Sequence, residues 1–200
     1  MMAILAIDPG TTKSGWCTLG DDGSVEGFGW EDNEDVQVKV NELSVFDLLL
    51  IEDISNYGMA VGRDTFETVK WMGRFDTIHD KHQYITRPTI KAALCNSVKA
   101  TDTNVRQAVI DWYGGDTVAI GGKKCLNCKG KGWTGRDHDT CEFCHHTEDW
   151  VDGNSPQPYP VYGCGYETHK GQLYGASSHV WSALALGITY IEQEKEASNI

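Results

Sequence analysis

The apolar run Ala3-Ile4-Leu5-Ala6-Ile7 stops at Asp8, then turns through Pro9-Gly10-Thr11-Thr12-Lys13 into a second β-prone stretch, residues 14–20. A strand apolar on both faces has to be covered on both, so this run belongs inside a sheet. Leu48-Leu49-Leu50-Ile51 repeats the pattern and runs into Glu52-Asp53. Aspartate at a strand end is also an ordinary turn former. Two buried strands that both end in acid can do more: side by side, they aim carboxylates at one spot. Mg²⁺ requires an oxygen-rich cluster of this kind.

Periodicity supplies the rest of an α/β chain. Strands are expected at 3–7, 14–20, 24–30 and 47–51, with Gly20-Asp21-Asp22-Gly23 as a hairpin turn. Asp64-Thr65-Phe66-Glu67 reads as a capping box that opens a helix running to residue 80. Phe66, Trp71 and Phe75 on it are either core or dimer contacts. Gln83-Tyr84-Ile85-Thr86, stopped by Arg87-Pro88, is a fifth strand. Val105, Ala108, Val109 and Trp112 form one helical stripe that ends at Gly114-Gly115. A final helix is expected to start near Ser177-Ser178 and to carry Trp181, Leu184, Ile188 and Ile191.

Between the last two helices the pattern fails. Residues 121–171 are rich in Gly, Pro, Cys and polar side chains and have no long periodic segment. They contain Cys125-Leu126-Asn127-Cys128 and Cys141-Glu142-Phe143-Cys144, two Cys-x-x-Cys knuckles separated by residues 129–140. Four thiolates in this spacing suit one tetrahedral Zn²⁺, and the metal would organise a segment that cannot build its own core. Lys129-Gly130-Lys131-Gly132 after the first knuckle resembles the zinc modules of DnaJ-type proteins. Cys17, Cys95 and Cys164 read as ordinary thiols. Zinc thiolates beside unpaired thiols imply a reducing compartment, so a cytoplasmic location is expected.

The formal charge of −12 is unevenly spread. Acids crowd residues 21–53, whereas Lys91, Lys99, Arg106, Lys129 and Lys131 lie in basic stretches that keep a nucleic-acid partner open. No apolar run approaches the roughly 18–20 residues of a membrane span, and no secretory signal is expected.

Residues 6–16, from Ala6 to Trp16, resemble the first motif of the RuvC-type Holliday junction resolvases, a family with the ribonuclease H-like fold. Leu50-Ile51-Glu52-Asp53 resembles their second acidic motif. Residues 87–91 with 99–106 resemble the basic third region, and His179-Val180-Trp181-Ser182-Ala183-Leu184-Ala185-Leu186 resembles the closing helix. The resemblance spans 1–120 and 172–192 and is nearest to the resolvase-like proteins of bacteriophages. It implies a mixed five-stranded sheet flanked by helices. Residues 1–120 plus 172–200 would form the nuclease domain, with 121–171 as a zinc-binding insertion.

The same resemblance implies Asp8, Glu52 and His179 as ligands of two Mg²⁺ or Mn²⁺ ions, with Asp8 bridging. Ser182 falls where many resolvases carry another Asp, and Asp53 or Asp102 are candidates to make up the missing charge. Lys91, Lys99 and Arg106 would face DNA, with Lys129 and Lys131 as further DNA contacts or a solvated loop. The implied activity is hydrolysis of phosphodiesters in branched DNA, such as a four-way junction, by a homodimer in the cytoplasm (the host's, if phage-encoded). Two other readings compete. A degenerate nuclease fold would bind branched DNA or a replication partner without cutting it. Asp8-Pro9-Gly10-Thr11-Thr12-Lys13-Ser14 also resembles the first phosphate loop of actin-like ATPases, but the second phosphate loop and second domain that those proteins need are missing.

Overall fold

The computed structural model describes residues 2–42, 46–54, 61–121, 133–134, 139–140 and 171–198. The chain forms two compact units, residues 1–109 with 176–200, and residues 110–175. The first unit is built on a five-stranded sheet: β1 (Ala3–Asp8), β2 (Lys13–Gly20), β3 (Val25–Asp32), β4 (Leu48–Asp53) and β5 (His82–Thr86) in the order β3-β2-β1-β4-β5. The β1/β2 and β2/β3 pairs are antiparallel, whereas β4 lies parallel to β1 and β5 parallel to β4. The two all-apolar runs are thus neighbours at the middle of the sheet, where Ile4 through Ile7 and Leu49 through Ile51 are fully buried.

Helices α1 (Asn33–Glu42), α2 (Arg63–Asp76), α3 (Arg87–Cys95) and α6 (Val180–Ser198) accompany the sheet, and α4 (Asp102–Trp112) runs out of this unit. Alternation along the strands assigns the faces. Leu5, Ile7, Trp16, Leu49 and Ile51 join Val36 and Val40 of α1 and Trp71, Met72 and Phe75 of α2 in one core. The opposite face carries Ala6, Asp8, Leu19 and Glu52 and is covered by α6. There Gly187 lets the helix come so close that an added methyl would collide with Leu19. The second unit contributes α5 (Asp116–Ala119) and the short pair β6 (Trp133–Thr134) and β7 (Asp139–Thr140).

Several expectations change. Helix α1 was not expected: its valines at 36, 38 and 40 alternate, yet the chain buries the i, i+4 pair Val36 and Val40 and exposes Val38. The capping box at Asp64 does not form. Helix α2 starts at Arg63 behind Gly62, without a side-chain cap, and stops at Asp76 rather than residue 80. Pro88 ends β5 as expected but also starts α3, where proline fits the first helical turn and Thr86 caps it through the Thr89 N–H. Helix α6 begins at Val180, later than Ser177. Trp71 and Phe75 are core, while Phe66 is 60% exposed.

Candidate active site

Five residues lie in one lateral row across the sheet. Ile85 on β5 pairs with Glu52 on β4, and Glu52 and Asp8 each stand one residue beyond the Ile7–Ile51 rung. Asp8 pairs with Gly15 on β2, and Gly15 with Trp30 on β3. Members of a row project from the same face, here the α6 face, and strand spacing sets neighbours about 4.8 Å apart. The two acids come from non-adjacent segments of sequence, and the parallel β1/β4 pairing alone brings them side by side.

The turn after Asp8 is held by a buried polar network. Ser14 Oγ accepts the Gly10 N–H at 3.2 Å and donates to Asn33 Oδ1 at 2.6 Å, while Asn33 Nδ2 donates to the Gly10 carbonyl at 3.1 Å. His179 reaches the row from the chain leading into α6. Ser178 before it adopts a left-handed conformation, φ 44°, and the His179 carbonyl accepts the Ala183 N–H at 3.0 Å. Gly15 makes room: a methyl there would run into the His179 backbone. His179 Nδ1 lies 2.7 Å from Asp8 Oδ2.

Burial and charge make this a strained electrostatic site. The Glu52 and Asp8 side chains are each only 13% exposed. Desolvation, then repulsion from Asp8, pushes the Glu52 carboxyl up to about 8, despite the Arg87 guanidinium 3.4 Å away. The hydrogen bond to Asp8 raises the His179 pKa against the opposing effect of burial. Arg87 also holds Asp102 Oδ1 at 2.8 Å, and this hydrogen bond keeps the Asp102 carboxyl below its usual range. Lys91 Nζ stands 3.7 Å from the same oxygen.

Two carboxylates and an imidazole are donors that Mg²⁺ or Mn²⁺ accepts alongside water. The fit rests on the buried Asp8–Glu52 pair, whose mutual repulsion a divalent cation would relieve. Among the described residues, however, no three His, Cys, Asp or Glu side chains are grouped so as to hold a metal ion. A cation taken up here competes with His179 for Asp8 and with Arg87 for Glu52.

No protein-family model matches the chain, and no curated protein does. Thermus thermophilus RuvC superposes with a TM-score of 0.57 at 13% identity, with 98% of this chain and 97% of that one covered. RuvC from the same organism in complex with a Holliday junction substrate gives 0.55, again at 13% identity with 98% and 97% covered. The chain has the RuvC-like fold. This ribonuclease H-like architecture, a mixed five-stranded sheet flanked by helices, is the one the motifs implied.

Within the RuvC-like unit the remaining candidates scatter. Asp53 follows Glu52 on β4 and so projects to the opposite face, with Ile51 rather than Asp8. Asp102 is bound to Arg87 and Lys91 at the start of α4. Ser182 lines a cleft of about 540 Å³ with His179, Arg87 and Arg106. The Arg106 guanidinium stacks over Trp181, 4.8 Å from the ring centroid, and Lys99 is exposed on the turn before α4. Cys125, Cys128, Cys141, Cys144, Lys129 and Lys131 lie outside the described residues, as does Cys164. Among the described residues no helix is long and apolar enough to cross a membrane.

Two groups at the site were given no role beside the acids from sequence. Arg87 touches both Glu52 and Asp102; the sequence placed it only among the basic residues of the third-region resemblance, 87–91 with 99–106, and gave it no contact with the acids. The Ser14–Asn33 pair that holds the turn had no signal, because Asn33 lies beyond the hairpin.

Proposed function

We propose that this chain is a metal-dependent, structure-selective endonuclease that hydrolyses phosphodiesters in branched DNA such as a Holliday junction. The observation that carries the reading is the placement of Asp8 and Glu52 side by side at the ends of parallel strands, with His179 hydrogen-bonded to Asp8, on a RuvC-like fold. The RuvC structure that contains a Holliday junction substrate supports the choice of substrate. Asp8, Glu52 and His179 would hold Mg²⁺ or Mn²⁺, two ions per site. Bound there, the metal would supply an activated water and stabilise the leaving 3′-oxygen.

The chain's own residues do the remaining work. The Ser14–Asn33–Gly10 network fixes the turn that follows Asp8, so the carboxylate is preorganised. Arg87 and Lys91, beside Glu52 and Asp102, are placed to hold a DNA phosphate by charge-assisted hydrogen bonds. Lys99 and Arg106 extend this basic surface, with Lys129 and Lys131 as further DNA contacts. Cys125, Cys128, Cys141 and Cys144 would bind one structural Zn²⁺. Paired cuts across a junction need two such sites, hence a homodimer.

Two features favour a second reading. Ser182 stands where many resolvases carry a carboxylate, and Arg87 already matches Glu52; a protein that binds junctions without cutting them fits both facts. Incubating a synthetic four-way junction with the protein and Mg²⁺, with Asp8→Asn as control, separates the two. Cleavage by the unaltered protein alone supports the nuclease. Tight binding with no cleavage by either supports the binding protein.

A further inference from the structure

The row that carries Glu52 and Asp8 does not end at Gly15. It runs on to Trp30 on the edge strand β3, on the same face of the sheet. Trp30 is 43% exposed, unusual for an indole so close to a buried polar site. Its ring lies nearly parallel to that of His179, with an interplanar angle of 20° and centroids 6.3 Å apart. Lys13 Nζ sits 5.3 Å from the indole centroid and also 3.6 Å from Asp32, both on exposed side chains. Trp30 and His179 share a cleft of about 540 Å³ with Gly10, Thr11, Lys13 and Ile54. That volume is in the range of small-molecule and nucleotide sites.

Each component has a use for one ligand class. An exposed indole offers a flat apolar face, which every nucleobase can stack upon. Lys13 holds a cation over part of the indole, beside Asp32, within reach of the phosphate of a nucleotide lodged here, and the turn that follows Asp8 lines the same cleft. Bases inside an intact duplex present only their edges, so a base that stacks on Trp30 has to be unpaired or unstacked. Two strand spacings, about 9–10 Å, separate Trp30 from Asp8, which places the subsite beside any phosphodiester held at the acids.

We infer that Trp30, with Lys13 and the turn after Asp8, forms a stacking subsite for one unpaired nucleobase next to the scissile phosphate. Its location relative to cleavage rests on the nuclease reading, but base stacking on Trp30 can be measured without cleavage. Trp30 is then a positioning residue that selects branch points, where bases unstack readily, over uninterrupted duplex.

The test uses four-way junctions that carry 2-aminopurine at successive positions near the branch point, and full-length protein with Asp8→Asn throughout so that nothing is cut. Stacking on Trp30 should quench 2-aminopurine at one position. Trp30→Ala should remove that quench and weaken binding about 5- to 150-fold, the range for one base–aromatic stack. An abasic site at that position should weaken the Trp30 protein by a similar factor and leave Trp30→Ala unaffected. Trp30→Phe, which keeps a smaller ring, should retain part of the quench and serves if the alanine variant does not fold. A quench unchanged in these variants, or the absence of position-specific quenching with the Trp30 protein, overturns the proposal. Cleavage by protein with Asp8 intact is scored separately. Cutting with a Trp30-independent quench overturns the subsite and leaves the nuclease standing; no cutting with a Trp30-dependent quench supports the subsite and removes the nuclease.

Discussion

Replacing Glu52 by Gln should stabilise the metal-free protein, by an amount that depends on pH. Burial, and then the neighbouring Asp8, pushes the Glu52 carboxyl up to about 8, well above the usual carboxylate range. A raised carboxyl pKa means that the folded state disfavours the ionised form, so its contribution to stability is fully present below about pH 4.5 and is lost as pH rises through 8. A carboxyl held that far above its ordinary range carries a penalty on the order of 3–5 kcal/mol above pH 8. Glutamine keeps the shape and cannot ionise, so it escapes the penalty. Urea unfolding in EDTA, repeated from about pH 4 to pH 9, gives the difference in stability between Glu52→Gln and the unaltered protein. That difference should be small at the acid end, climb across the interval, and level off above pH 8. Added Mg²⁺ should shrink it, because a cation relieves the same repulsion as a proton. A difference that stays flat with pH would mean that Glu52 and Asp8 do not confront one another, and the site as described would be wrong.

Other substitutions probe the remaining parts. Asp8→Asn should lower junction cleavage by orders of magnitude while leaving the thermal transition and junction affinity largely in place; gel assays of cutting and binding on one preparation check both. His179→Ala should remove most cleavage and His179→Asp should preserve it with a shifted pH profile, because a carboxyl then replaces the imidazole as the titrating group at that position. Ser182→Asp should lower the Mg²⁺ concentration needed for half-maximal cleavage, measured by metal titration at fixed enzyme. Cys128→Ser should release one Zn²⁺ per chain and make residues 121–171 sensitive to protease; elemental analysis that finds no zinc in the unaltered protein, purified under reducing conditions, refutes the four-cysteine assignment.

What the sequence disclosed followed from which signals are local. The apolar runs of β1 and β4 announced central strands because strands buried on both faces need no polar alternation, and their acidic ends pointed to Asp8 and Glu52 directly. Helix α1 stayed hidden because Val36, Val38 and Val40 spell a period of two, and only the packing under β1 and β2 decides that 36 and 40 go inward. Helix α3 was obscured because Pro88 was read only as an ending, though proline is equally suited to a first turn. Arg87 was legible only as one of the basic residues of the third region, with no partner at the acids, and Trp30 was not singled out. Their roles come from strand register, β4 against β5 and β2 against β3, and register is a relation between segments rather than a property of either. Asp53 shows the converse: next to Glu52 in sequence, it is sent to the other face by the pleat.

The Asp8–His179 hydrogen bond joins residues 171 positions apart. At about 5–20 residues per second, a ribosome needs roughly 10–35 s to travel from one to the other. In the later part of that interval all five strands have been made, because every strand of the sheet precedes residue 87, yet the histidine does not exist. The nascent chain therefore holds every strand of the sheet while the face that α6 covers is bare and the site is incomplete. Abandoned translation or proteolysis ahead of residue 179 leaves a fragment that lacks one of its three site residues, so such fragments should be unable to nick DNA on their own. On the nuclease reading, the site is complete only once synthesis has passed residue 179.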